Sequence, residues 1–157
     1  MVAQALLVID VQTGLIDGQF QVYQAETMLK RIKTIIEKAR LARVPVIFVQ
    51  HIEDIANDGP IHPSITLQPG ELTVLKVTPD AFHETNLKQE LDKLKISHLV
   101  IVGFQTNYCI NATATQAHNL GYEVSIIKDA HSTIDSESEN AEAIINSARR
   151  AHPFTTI

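Results

Sequence analysis

The chain has 157 residues, 45% of them hydrophobic and 20% charged, the proportions of one globular domain rather than of a disordered chain or of two independent cores. With 13 Lys and Arg against 18 Asp and Glu, the formal net charge is −5, which argues against nucleic acid or an anionic membrane as partner. The single cysteine, Cys109, excludes an intrachain disulfide and a zinc site built from cysteines.

The first apolar run, Ala5–Val11, is interrupted by Asp10, lacks a basic leader and is far shorter than a bilayer span. It reads as a strand rather than a signal peptide or anchor, and a cytoplasmic location is expected. A helix follows over Glu26–Ala42, with Met28, Leu29, Ile32, Ile35, Ile36 and Ala39 on one face and Lys30, Arg31, Lys33 and Lys38 on the other. Val46–Gln50 is the second strand. The segment His51–Glu71 then breaks the pattern with Gly59, Pro60, Pro63, Pro69 and Gly70, and a loop of that length in a small domain is usually functional. Thr73–Lys76 is the third strand, and a short helix starts near Asn86 with Thr85 as N-cap and Leu87, Leu91 and Leu94 as its apolar stripe.

His98–Val102 is the fourth strand. The helix after it spans about Asn107–Leu120, with Gly121 placed for a left-handed C-terminal cap. Glu123–Lys128 is the fifth strand, and a last helix covers roughly Ser138–Arg150. Ser132, Thr133, Ser136 and Ser138, near His131 and Asp135, read as a helix-start loop rather than a serine triad. Runs such as LLVIDV, VIFVQ and LVIVG are apolar with little alternation, as strands buried on both faces are. The expected fold is α/β: one domain over 1–157, a three-layer sandwich whose mostly parallel, five- or six-stranded sheet carries helices on both faces. The chain has neither G-x-G-x-x-G nor G-x-x-x-x-G-K-[ST], so no dinucleotide or P-loop fingerprint accompanies that fold.

Asp10, Lys76 and Cys109 fall at or just after strand ends facing one sheet edge, where open α/β sheets bind ligands. Each has an ordinary reading: a turn aspartate, a solvated edge lysine, a small buried thiol. Together they suit acyl transfer. A helix amino end and a nearby ammonium both favour thiolate, the nucleophilic form. A thiol of pKa ~8.5 is only a few per cent ionised at neutral pH, so lowering it by about two units makes thiolate the majority. Asp10 is placed to take the thiol proton and return it to a leaving nitrogen.

The strand VIDVQ, the lysine before VTPDAFHETNL, and the run GFQTNYCINATATQAHNLGYEVSIIKDA resemble the isochorismatase-like cysteine hydrolases over nearly the whole chain. Gly103, Thr106 and Cys109, followed by Ala117, Gly121 and Asp129-Ala130, carry the best-matched pattern. The resemblance implies an Asp-Lys-Cys triad at Asp10, Lys76 and Cys109. It also implies a non-proline cis peptide at Phe104–Gln105, with an oxyanion hole at the backbone of Gln105 and Cys109. Phe20, Phe82, Phe104, Gln105 and Tyr108 are candidate pocket contacts.

The chain departs from the nicotinamidases of the family it resembles, which carry an Asp-x-His pair and a later histidine that bind a metal near the active site. Here the corresponding loop reads His51-Ile52-Glu53-Asp54-Ile55-Ala56, with His62 further on. Loop histidines are more often solvated than ligating, so no required metal or cofactor is expected. Isochorismatases proper resemble the same fold but generally lack the cysteine and cleave a vinyl ether with the aspartate. The reading that follows is a hydrolase acting on a small amide-type C–N bond through a thioester. The alternatives are ether hydrolysis and an inactive binding or regulatory protein. The chain is short for the family, so a homo-oligomer, dimer or tetramer, is expected to wall the pocket.

Overall fold

The computed structural model describes residues 3–55, 59–151 and 155–156. Six strands, β1 (Gln4–Ile9), β2 (Val46–His51), β3 (Leu72–Lys76), β4 (His98–Phe104), β5 (Glu123–Ser132) and β6 (Thr155–Thr156), form one sheet in the order β3-β2-β1-β4-β5-β6. All its pairings are parallel. Among the described residues no helix is long and apolar enough to cross a membrane.

The unbroken apolar runs are explained by two separate cores. Ala5, Leu7 and Ile9 of β1 join Ile47, Val49 and Val74 on one face. There they meet α3 (Leu87–Lys93) and α4 (Asn111–Asn119) through Leu87, Leu91, Ala114 and Ala117. Leu6 and Val8 point the other way, with Val46, Phe48 and Phe104, under α1 (Thr13–Ile16) and α2 (Ala25–Leu41). Period-two alternation of direction along β1 therefore buries every side chain from Ala5 to Ile9. A last helix, α5 (Ala141–Ala151), starts where Asp135 Oδ1 accepts the Ala141 N–H at 2.7 Å.

The helix α1 and the strand β6 are not among the expected elements. β1 ends at Ile9 rather than Val11, α5 starts at Ala141 rather than near Ser138, and three further elements differ for identifiable reasons. α3 ends at Lys93 because Lys95 turns into positive φ, 56°, so Leu94 leaves the stripe and is exposed while Leu87 and Leu91 are buried. The helix after β4 is not uniform: Thr106–Ile110 is a π turn, and α4 begins only at Asn111. β5 runs to Ser132 rather than Lys128, because its register against β4 slips between Ile101 and Gly103, which pair with Ile126 and His131. The intervening polar Lys128 and Asp129 are exposed, and apolar periodicity stops there although the strand does not. The cap at Gly121 is present, with φ 96° and its N–H on the His118 carbonyl.

Candidate active site

Strand order reverses at β1, which lies between β2 and β4, and the carboxyl ends of four strands converge there. Asp10 follows β1 in the left-handed region, φ 53°, a conformation aspartate tolerates better than most residues, and its N–H bonds the Val49 carbonyl. His51 ends β2, Lys76 ends β3, and Cys109 stands five residues beyond β4. Lys76 Nζ lies 3.1 Å from Asp10 Oδ2, 2.9 Å from His51 Nδ1, 3.1 Å from the Thr78 carbonyl and 3.2 Å from Cys109 Sγ. Asp10, His51, Lys76 and Cys109 are all buried. A charge without partners there is prohibitively expensive, so the four groups form one electrostatic unit.

The turn before Cys109 is built for close approach. A Cβ on Gly103, φ 122°, would sit 2.0 Å from the Ile9 carbonyl oxygen, so glycine is what lets β4 lie against the end of β1. The Phe104–Gln105 peptide is cis. The Gln105 carbonyl then accepts N–H bonds from Tyr108 at 3.1 Å and Ile110 at 3.2 Å, on either side of Cys109. The second of these widens the helix by one residue, as π turns at functional sites do. Polar groups brace the turn from β5. Thr106 Oγ1 pairs with His131 Nδ1 at 2.8 Å, and the Thr133 hydroxyl donates to Asn107 Oδ1 at 2.7 Å and Gln105 Oε1 at 3.3 Å.

The electrostatics correct one expectation. Instead of being lowered, the Cys109 thiol is pushed up to about 12, chiefly by burial and then by the Asp10 carboxylate, with Lys76 pulling the other way. Sequence position showed the ammonium and the helix but not the depth of the site or the neighbouring negative charge. In the resting site Cys109 is a thiol, and its hydrogen bond with Asp10 marks where the proton can go.

His51 corrects another. Expected as a solvated loop histidine, it is only 6% exposed and faces Lys76. His62 lies elsewhere, with Nε2 2.8 Å from Asp17 Oδ2 and Nδ1 2.8 Å from Ser64 Oγ. Asp54 Oδ2 is 3.9 Å from His51 Nε2, and Ala56 is outside the described residues. Asp10, His51 and Cys109 do offer donor atoms within 4.8 Å of one another. The Lys76 ammonium, however, contacts all three, so a dication would meet a positive charge in the middle of its ligands. This cluster therefore does not suit a divalent cation.

The aromatic candidates separate. Phe104 is fully buried in the α2-side core, and half-buried Phe20 packs against the same core. Phe82 stacks on Tyr122, ring centroids 6.0 Å apart. Tyr108, next to Cys109 in the chain, is 54% exposed, the most open of the four. Gln12 was missed. Its amide accepts the His51 N–H at 2.9 Å and donates to the His51 carbonyl at 2.9 Å and the Gly59 carbonyl at 2.8 Å, tying the segment after β1 to the end of β2. The only sign in the sequence was a glutamine directly after an otherwise apolar strand.

Fold and site define a class: open parallel α/β proteins with a buried acid, lysine and cysteine at the point where strand order reverses. A family model described as the isochorismatase domain matches residues 4–157. The chain belongs to the isochorismatase family. It is 35% identical over 139 residues to a streptothricin hydrolase of Streptomyces noursei, covering 84% of this chain but 50% of that protein, so it spans half the relative's length. To nicotinamidase 3 of Arabidopsis thaliana it is 30% identical over 158 residues, 87% of this chain and 77% of that protein. The crystal structure of an isochorismatase family protein superposes with a TM-score of 0.87 at 30% identity, over 99% of this chain and 98% of the other.

Proposed function

We propose that this chain is a cysteine hydrolase that cleaves a small amide-type C–N bond through a Cys109 thioester. The observation carrying the proposal is the buried contact of one ammonium with both an acid and the only cysteine, 3.1 Å from Asp10 Oδ2 and 3.2 Å from Cys109 Sγ. The hydrolase and nicotinamidase among its relatives support an acyl-transfer chemistry.

In this cycle Asp10 takes the thiol proton as sulfur adds to the substrate carbonyl carbon, and Lys76 neutralises the sulfur anion on the way. The oxyanion is received by the backbone N–H groups of Gln105 and Cys109. Asp10 returns its proton to the nitrogen, the C–N bond breaks, and ammonia or an amine leaves a thioester behind. Water then adds to the thioester while Asp10 takes its proton. Collapse releases the carboxylic acid, and sulfur regains a proton. The raised thiol fits this order, since sulfur is ionised only when a carbonyl is present to accept its electrons. A homo-oligomer, dimer or tetramer, in which a second subunit helps wall the pocket belongs to the same proposal, and gel filtration tests it.

Small amides, carbamoyl compounds and ureides are to be screened for ammonia release, with Cys109→Ala as control. Release by the wild type and none by the variant is the expected result. Ammonia release that survives Cys109→Ala would overturn the thioester route, and no release from any compound would favour a binding protein or an ether-type chemistry resting on Asp10.

A further inference from the structure

An ammonium has three N–H bonds, yet four acceptors lie within hydrogen-bonding reach of Lys76 Nζ. The shortest contact, 2.9 Å, goes to His51 Nδ1, a residue to which the acid–lysine–cysteine cycle gives no role. Because Lys76 can only donate, Nδ1 is the acceptor of this bond, and the ring hydrogen then sits on Nε2, on the side where Asp54 Oδ2 lies 3.9 Å away. The backbone of His51 is held at both N–H and carbonyl by the Gln12 amide, which fixes where the side chain starts, and the ring itself is buried.

We infer that His51 is a positioning residue that rations the hydrogen bonds of Lys76. Its Nδ1 holds one N–H and the Thr78 carbonyl a second, so a single N–H passes between the Asp10 carboxylate and the Cys109 sulfur. While the thiol is intact that N–H belongs to Asp10. When the proton moves from sulfur to Asp10, the same N–H turns to the sulfur anion, and the move reverses when Asp10 protonates the leaving nitrogen. The charged or titratable groups facing this exchange are Asp10 just after β1, His51 from β2, Lys76 from β3, Cys109 from the π turn and Asp54 from the loop after β2. A second role is open to His51 by distance, since Cys109 Sγ is 3.8 Å from the same Nδ1. A lone pair already directed at an ammonium 2.9 Å away is a poor base for that thiol.

Removing the Nδ1 acceptor releases a second N–H, so Lys76 bonds Asp10 and sulfur at once. Thiolate then forms more readily, while Asp10 becomes a poorer carrier of the thiol proton. This inference rests on the proposed cycle for its effect on turnover but not for its effect on the thiol, and the test separates the two. Three variants are compared. His51→Asn places an oxygen acceptor near the Nδ1 position but supplies no base. His51→Gln places its acceptor near Nε2, and His51→Leu places none.

The first readout is the rate of Cys109 carboxamidomethylation at pH 8 without substrate, on proteins whose folded state is checked by circular dichroism. His51→Gln and His51→Leu are expected to alkylate about tenfold faster than wild type, the effect of one additional hydrogen bond to a charged group. His51→Asn recovers the wild-type rate. With a substrate in hand, kcat falls in the Gln and Leu variants with KM little changed, and His51→Asn restores it. Should Leu fail to fold, the Asn and Gln pair decides. Equal alkylation rates in wild type and His51→Gln overturn the inference. So does equal acceleration in Asn and Gln, which would mark simple access to the thiol, and so does loss of turnover in Asn as great as in Leu, which would mark a base. If no compound is turned over, the alkylation series still decides on His51, while the proposed reaction fails alone.

Discussion

Lys76 Nζ and Asp10 Oδ2 meet at 3.1 Å at the carboxyl edge of the sheet, with neither side chain reaching solvent. A pair this deep is hard to halve, because each partner is what makes the other tolerable there. Lys76→Met is therefore expected to lower unfolding stability by about 3–5 kcal/mol. Adding Asp10→Asn removes the orphaned charge and should recover a large part of the loss. Urea denaturation of the two single variants and the double variant measures the coupling, and simple additivity would contradict a buried ion pair.

The Cys109 thiol, pushed up to about 12 from an ordinary 9.0, makes stability depend on alkaline pH. The folded state holds this proton more tightly than the unfolded chain does. The associated stability is complete below the unfolded value and is lost as pH rises from about 9 toward about 12. Thermal unfolding midpoints should fall over that window in the wild type and fall less steeply in Cys109→Ala. In the same substrate-free state the wild-type thiol should alkylate more slowly at pH 8 than a free thiol, and a faster rate would show that Lys76 outweighs burial.

Gln12 stitches the segment after β1 to His51 and Gly59 through three side-chain hydrogen bonds to backbone groups. Gln12→Ala leaves the N–H and carbonyl of buried His51 without these partners, at a cost of about 1–3 kcal/mol for each group left unpaired. The expected outcome is a less stable protein whose hydrogen exchange rises first at His51 and Gly59, with the N–H groups of β4 unaffected. Uniform acceleration across the sheet would instead mean that Gln12 serves global stability alone.

Much of the architecture could be read from the chain because burial on both faces leaves a plain mark. Runs such as Leu6–Ile9 and Val46–Val49 admit few readings other than central parallel strands, and the three-and-four spacing from Met28 to Ile36 gives α2 nearly to its ends. The places where reading failed share a cause. The widened turn at Thr106–Ile110 and the slip in β5 are set by hydrogen bonds and register between strands, which local periodicity does not encode.

The sequence by itself determined the α/β class, the order of the strands along the chain, and Asp10, Lys76 and Cys109 as residues of one edge, because strand-end positions follow from hydrophobic pattern alone. Only the tertiary structure decided how those residues meet. Depth of burial raised the thiol that position suggested would be lowered. Pairing of β2 with β3, His51 opposite Lys76, turned an apparent loop histidine into the nearest neighbour of the lysine. Both outcomes depend on distance and dielectric between residues remote in sequence, quantities that exist only once the sheet has formed.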